Sequence, residues 1–238
     1  MKFDLSQIKL SYNDVKRNLK LPDGPSCELA EFIGIMTGDG HISFTKKRYQ
    51  VRITGNSLLE YQYLTSHVNR LIFRLFNINS KIRKRKNKNA NVVYFSSKGF
   101  VSFMNKIGYY KHISNIKIPP WIGNDTNHIT SFLRGLIDTG GCVFISDKKG
   151  TSNYPCIELT TVCFNLAKLT KDFLVKLRFK VPKIRSYKYS HSKNNSYKVS
   201  LYGHKNLFKW INEIGFSNKY KFKRAIEYKK WDGRNLNP

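Results

Sequence analysis

Phe32-Ile33-Gly34-Ile35-Met36-Thr37-Gly38-Asp39-Gly40 and Leu133-Arg134-Gly135-Leu136-Ile137-Asp138-Thr139-Gly140-Gly141 are two versions of one nine-residue phrase, 101 residues apart. A repeat of this kind governs the reading of the whole chain, because each copy belongs to one supersecondary unit. Each phrase runs into an alternating stretch, His41-Ile42-Ser43-Phe44 in one case and Cys142-Val143-Phe144-Ile145 in the other. Further on, Lys81-Ile82-Arg83 answers to Lys183-Ile184-Arg185 at an offset of 102, and residues 98–108 answer to residues 205–215 at an offset of 107. Three collinear matches with a slowly growing offset describe a duplicated unit that has gained a few loop residues.

Local patterns give each unit the same order of elements. Residues 28–38 carry Leu29, Phe32, Ile33, Ile35 and Met36 at helical spacing, and Gly38-Asp39-Gly40 can end that helix. Residues 41–45 and 49–54 alternate, with Ile42, Phe44, Val51 and Ile53 on one face and Ser43, Thr45, Gln50, Arg52 and Thr54 on the other. A long amphipathic helix is expected over residues 57–76, then a hairpin from residues 81–86 and 92–96, then a helix over residues 98–107. The second unit repeats this with a helix at 129–139, strands at 142–146 and 156–161, a helix at 165–179, a hairpin from 183–189 and 197–202, and a helix at 204–214. The expected fold is α+β, two pseudo-symmetric αββαββα halves. Residues 1–26 form an extension, 27–118 the first half, and 119–127 a linker in which Pro119 and Pro120 stop any helix. Residues 128–215 form the second half, and 216–238 hold a basic terminal helix.

Composition narrows the partner. The 238 residues include 43 Lys and Arg against 15 Asp and Glu, a formal charge of +28 that points to a polyanion, with phosphate backbone the commonest. A hydrophobic fraction of 40%, with 16 Phe, 14 Tyr and 3 Trp, is too rich in core-forming residues for a disordered basic tail. No apolar run approaches the roughly 18 residues of a membrane span, and residues 1–10 lack the order of a signal peptide, so an intracellular location is expected. Cys27, Cys142, Cys156 and Cys163 form no C-x-x-C pair and have no His at zinc spacing, and they read as small buried thiols.

Gly34 and Gly38 share one face of the first repeat helix, and Gly135 holds the matching place in the second. A glycine inside a helix costs about 1 kcal/mol relative to alanine, so close approach of the two helix backbones across a pseudo-two-fold axis is the expected reason. That packing would bring both C-terminal ends together, and the first carries Asp39. Asp39 reads either as a turn aspartate or as a ligand for a hard cation such as Mg²⁺, since a carboxylate at a helix C-terminus is otherwise disfavoured.

The two phrases resemble the paired motifs of the LAGLIDADG homing endonucleases in their single-chain, two-motif form, and the duplicated layout extends that likeness over nearly the whole chain. The resemblance implies a saddle of antiparallel sheets over the major groove, with the motif helices (Gly34, Gly38, Gly135) as the interface between halves. It implies a monomeric enzyme that cleaves both strands of a long, asymmetric DNA site, with Mg²⁺ or Mn²⁺ as cofactor and an intron or intein as genetic setting. Asp39 is then the acid of the first copy, and Gly38 and Thr139 lend supporting metal ligands. Gly140 stands where the second acid belongs, and this departure implies a chain that is inactive or nicks only. Asp138, two residues earlier, lies roughly 200° around the helix and points elsewhere. The basic residue that the family places near the scissile phosphates falls on Lys98 and Lys205, which read otherwise as surface lysines.

Ser43, Thr45, Gln50, Arg52, Lys81, Arg83 and Arg85 in the first half, and Glu158, Thr160, Lys183, Arg185, Tyr187, Tyr189, Lys198 and Ser200 in the second, lie on polar strand faces. Arg and Lys there can read guanine, Gln can read adenine, and Glu can accept from cytosine. A non-cleaving nucleic-acid-binding protein on the same scaffold, an intron RNA maturase or a DNA-binding regulator, is the second class that Gly140 supports.

Overall fold

The elements follow the duplicated phrase. In a computed structural model of the chain, residues 1–230 are described apart from 46, 47, 113, 149, 150, 189, 191 and 193. Helix α1 (Tyr12–Lys16) is closed by a capping box between Ser11 and Asp14. The first half then contains α2 (Cys27–Gly38), β1 (Gly40–Thr45), β2 (Arg48–Asn56), a π-helical turn (Tyr63–Val68), α3 (Asn69–Phe76), β3 (Lys81–Lys84), β4 (Ala90–Ser96) and α4 (Lys98–Lys106). A small hairpin, β5 (Tyr110–His112) and β6 (Asn115–Lys117), precedes a 3₁₀ turn at Pro120–Asn124. The second half contains α5 (Thr126–Gly140), β7 (Gly141–Lys148), β8 (Thr151–Thr161), α6 (Phe164–Lys176), β9 (Arg185–Tyr187), β10 (Ser196–Tyr202) and α7 (His204–Glu213), followed by α8 (Lys219–Lys230).

The two sheets have the same topology, β1-β2-β4-β3 and β7-β8-β10-β9, antiparallel throughout. One face of each is core. Val51, Ile53, Val93 and Phe95 are buried in the first sheet, and Val143, Ile157, Leu159, Val199 and Leu201 in the second. Side-chain alternation therefore sends Gln50, Arg52 and Tyr94, and likewise Lys198 and Thr160, to the opposite face. No described helix is long and apolar enough to cross a membrane.

Helices α2 and α5 pack against each other through their glycines. A Cβ built on Gly34 would lie 2.1 Å from the Phe132 carbonyl oxygen, and one built on Gly135 would lie 2.1 Å from that of Glu31. The contact is reciprocal, as a two-fold relation between the halves requires. A buried polar network flanks it. Glu31 accepts from Arg134 Nη2 and from Ser217 Oγ, both at 2.7 Å, and its other contact is with His67 Nε2 at 2.8 Å. Burial works to raise the Glu31 pKa, but the bonds from His67, Arg134 and Ser217 and the Arg134 charge outweigh it and hold the carboxyl at about 2.

Several expectations shift. Residues 57–60 form a turn in place of the first helical turn, because Asn56 Oδ1 accepts from the backbone of Leu58 and Leu59, both at 3.0 Å. Leu58 and Tyr61 are therefore solvent-facing, and the π-helical turn that follows brings His67 to Glu31 with its ring stacked on Tyr63. Of the strand expected at 183–189, the structure shows Arg185–Tyr187, with Pro182 unable to donate to a ladder just upstream and residue 189 outside the described residues. Hairpin β5–β6 was hidden by strands of three residues each. The 1–26 extension is anchored, not loose: buried Asp14 accepts from Ser97 Oγ at 2.6 Å and from Gly99 N at 3.0 Å, at the start of α4. Of the four cysteines read as buried, Cys27 and Cys142 are exposed, while Cys156 and Cys163 are buried.

Two outcomes test this packing. Gly34→Ala and Gly135→Ala should each lower the melting temperature by several degrees, because overpacking against a backbone carbonyl costs about 1–3 kcal/mol or more and outweighs the ~1 kcal/mol gained in helix propensity. Glu31 has a folded pKa below its ordinary 4.5, so its contribution is present above that value and is lost as pH falls towards about 2. Urea denaturation from pH 5 to pH 2 should show that loss, on the order of 3 kcal/mol, in the parent chain and a flatter profile in Glu31→Gln.

Candidate functional site

The C-terminal ends of α2 and α5 meet. A Cβ on Gly38 would lie 2.1 Å from Thr139 Oγ1, and one on Gly140 would lie 3.0 Å from Gly38 Cα. Two helix ends of like partial charge are thus held together, with their last carbonyls unsatisfied by the helices themselves. Each end receives an ammonium group. Lys111 Nζ, from β5, donates to the carbonyls of Met36 at 3.1 Å, Gly38 at 2.7 Å and Gly40 at 2.9 Å. Lys221 Nζ, from α8, donates to those of Ile137 at 2.7 Å, Thr139 at 3.2 Å and Gly141 at 2.7 Å. The two sets of acceptors are the same three positions of the repeated phrase.

Charge around the junction is one-sided. Asp39 caps α2 and still touches solvent, yet the surrounding protein raises its pKa, and the nearby Glu60 raises it further against the opposing charges of Lys221 and Lys111. Burial pulls the Lys111 pKa down to about 8, with Asp39 opposing, and burial lowers that of Lys221 as well. Glu60 is positioned by Asn56 N at 2.8 Å and Asn218 Nδ2 at 3.1 Å, with Lys221 Nζ at 3.9 Å. Asp138 turns away from the junction and accepts from Ser217 N at 2.7 Å and Asn218 N at 3.1 Å. Burial drives its pKa up to about 7, against the charge of Lys221 and those two bonds.

The two ends of this junction differ in what they offer a hard divalent cation. At Asp39 an exposed carboxylate whose charged form is disfavoured by the surrounding protein and by Glu60 would be relieved by a cation. At Gly140 there is no carboxylate, the Thr139 carbonyl is taken by Lys221, and Thr139 Oγ1 donates to Gly135 O at 2.9 Å. The Gly38 carbonyl is shared with Lys111. Among the described residues no three His, Cys, Asp or Glu side chains gather in a metal-holding arrangement.

The lysines expected at the site lie elsewhere. Lys98 opens α4 in a polar groove lined by Ser11, Asn13, Arg48 and Gln50, and Lys205 is exposed in the first turn of α7. Lys111 and Lys221 occupy the junction instead. A signal for them was present: Tyr110-Lys111 and Tyr220-Lys221 are 110 residues apart and continue the growing offset of the repeat. It was obscured because one lies in a strand and the other in a helix.

The strand faces bear most of the expected polar residues. His41, Arg52, Tyr94 and Lys81 stand in register across the first sheet, as do Ser43, Gln50 and Ser96, and the Arg83 guanidinium lies 5.0 Å from the Tyr94 ring centre. Thr45 ends β1 and is exposed, and Arg85 lies just beyond β3, also exposed. In the second sheet Thr160, Lys198 and Arg185 are in register, with Tyr187 exposed beside them. Lys183 is exposed but outside the ladder, and Tyr189 lies outside the described residues. Glu158 and Ser200 depart from expectation. They are 4% and 3% exposed, and Ser200 Oγ donates to Glu158 Oε2 at 2.7 Å, so neither is free to meet a base.

Two duplicated α+β halves, joined by a glycine-packed helix pair whose ends carry acid and ammonium groups, define a two-motif LAGLIDADG architecture. The chain belongs to the LAGLIDADG family: the LAGLIDADG-like domain matches residues 26–108 and 127–215. It is 29% identical over 189 residues to the uncharacterised protein MJ0314 of Methanocaldococcus jannaschii, covering 77% of this chain and 65% of that one. It is 28% identical over 217 residues to a replication factor C small subunit of the same organism, covering 88% of this chain but 10% of that protein. The chain thus spans less than two thirds of the length of these relatives. Among solved structures, I-DmoI in complex with DNA and Mn superposes with a TM-score of 0.53 at 19% identity, over 79% of this chain and 96% of that one. Full-length DUF199/WhiA from Thermatoga maritima gives 0.51 at 19% identity, over 90% and 65%. These likenesses establish the fold.

Lys111→Met and Lys221→Met retain the aliphatic stem and remove the three-way donor. Each should lower stability in urea by about 1–3 kcal/mol, the usual cost of buried acceptors left unpaired.

Proposed function

We propose that this chain binds a long, asymmetric duplex DNA site and hydrolyses one strand of it, using a divalent-metal site retained in the first half alone. The observation that carries this reading is the asymmetry of an otherwise symmetric junction: both helix ends carry an ammonium group on matching carbonyls, but only the first carries a carboxylate, Asp39, opposite Gly140. The net charge of +28 and the basic outward strand faces support a polyanionic partner, and the I-DmoI structure is a DNA complex.

Arg52, Lys81, Arg83, Arg185 and Lys198 would meet the major groove and its phosphates. Asp39 would hold Mg²⁺ or Mn²⁺, with the Glu60 charge adding to the negative field there. When bound, the ion supplies Lewis-acid stabilisation and a water of lowered pKa. Lys111, fixed beside Asp39 with its three N–H donors on the carbonyls of Met36, Gly38 and Gly40, would place a positive charge near the scissile phosphate without needing to reorganise. At the Gly140 end Lys221 holds the matching carbonyls, but position 140 supplies no carboxylate. The match of nearly the whole chain to a tenth of a replication protein supports a mobile-element setting, an intein or intron product lodged in a host. A second reading, binding without cleavage, is favoured by Gly140 and by the fold likeness to WhiA.

Supercoiled plasmids carrying a randomised duplex library separate these readings by strand. Nicked circles that require Mg²⁺ or Mn²⁺ and vanish in Asp39→Asn are expected, with linear product appearing in Gly140→Asp. Linear product from the unaltered chain would contradict the proposal, and tight duplex binding with no nick in any metal would favour the second reading.

A further inference from the structure

Helix α1 is held against the start of α4. Buried Asp14 accepts from Ser97 Oγ and Gly99 N there, and from Ser11 N at 3.0 Å and Ser11 Oγ at 2.7 Å on its own side. Burial works to raise its pKa, but these bonds outweigh it and hold the carboxyl below the ordinary value. Gly99 lets the chain on either side of α1 close in, since a Cβ there would lie 2.6 Å from both Leu10 Cδ2 and Leu19 Cδ2. The start of α4 is tied in turn to the first sheet, where Ser97 N donates to the Tyr49 carbonyl at 3.0 Å. Three elements distant in sequence thus meet around a groove of about 450 Å³, lined by Ser11, Asn13, Arg48, Gln50, Ser96 and Lys98.

Two cations share this groove with no acid to answer them. Among the described residues neither Arg48 nor Lys98 has an ion-pair partner, and the carboxylate of Asp14 is fully buried behind the wall that it holds together. Like charges lining one concave surface repel unless an anion lies between them. The remaining groups, two hydroxyls and two carboxamides, are donors that suit phosphate oxygens.

The groove has a definite place along the sheet. β1 leaves the helix junction at Gly40, and β2 returns beside it with Arg48 opposite Thr45 and Ile53 opposite Gly40. Arg48 and, at the end of β4, Ser96 therefore mark the end of the sheet away from the junction, about 17 Å along the strand. Under a duplex laid along the sheet that is roughly five base pairs from the centre. The second half is built differently here. Its α5 is reached from β6 through the 3₁₀ turn, with no counterpart of α1 among the described residues, and α7 opens at Gly203 with no side-chain cap and with Lys205 exposed.

We infer that this groove is a backbone-phosphate site for duplex DNA on the outer flank of the first half-site, with Arg48 and Lys98 as its charged ligands and α1 as its wall. The inference rests on the duplex-binding reading above. It gives the extension a part in binding and gives Lys98 a role away from the scissile phosphates. Such a site adds affinity and register on one flank without reading a base.

Ethylation interference on a duplex selected from a randomised library, with the full chain in Ca²⁺, tests this. In the parent, ethylation of about two phosphates on the outer flank of one half-site should block binding. Lys98→Ala and Arg48→Ala should each weaken or erase interference at those phosphates, leave the other positions as they are, and flatten the slope of log K against log salt by about 0.9. The base preferences of the selected site should not change. Thermal melts confirm that each variant is folded, and Lys205→Ala should keep the flank signal. Flank interference that persists at full strength in both Lys98→Ala and Arg48→Ala, or a loss at the central phosphates in place of the flank, would overturn the inference while duplex binding stands. Absence of selective duplex binding by the parent would overturn both.

Discussion

The distance between α2 and α5 is the constraint on which the rest of the molecule depends. Gly34 and Gly135 admit the opposing Phe132 and Glu31 carbonyls to a place that no Cβ could share. This approach makes the two halves one body with a shared core. It also forces two helix C-termini, each with partial negative charge and orphan carbonyls, into contact. Lys111 and Lys221 relieve that conflict by placing a cation on each end. Electrostatic necessity at the helix junction thus generates the local field in which, under the proposed function, Asp39 would hold a metal beside a phosphate.

The same geometry explains why losing a single carboxylate is tolerable to the fold. The junction is neutralised by the ammonium groups, not by the acids. Asp39, although exposed, has its charged form disfavoured by the surrounding protein and by Glu60. Gly140 removes that tension from the second end while leaving Lys221 and its three carbonyl acceptors in place. Under the proposed function scaffold and chemistry are separable, because the fold of the junction does not depend on a carboxylate at position 140.

Much of this was legible in the amino-acid order. The repeated phrase, its glycines and the period-two strands that follow were enough for the duplicated α+β plan, because backbone approach and sheet burial each demand particular residue types at fixed spacing. The site was legible only where it lies inside the phrase, at Asp39 and Gly140. Lys111 and Lys221 arrive from elements with different secondary structure, and a local pattern cannot show that a strand and a helix deliver the same ammonium. Glu158 was legible as polar and outward but not as buried, since its cover comes from β9 and β10 across the sheet. The π-helical turn was likewise hidden, because the contact it serves is between His67 and Glu31, 36 residues apart.

The central claim is that one half of the junction keeps a divalent-cation site and the other does not. Counting Mn²⁺ bound to the chain in complex with its selected duplex, by electron paramagnetic resonance, addresses it directly. One ion per complex, lost in Asp39→Asn, is the predicted result. Two ions in the unaltered chain, or a single ion that survives Asp39→Asn, would contradict it.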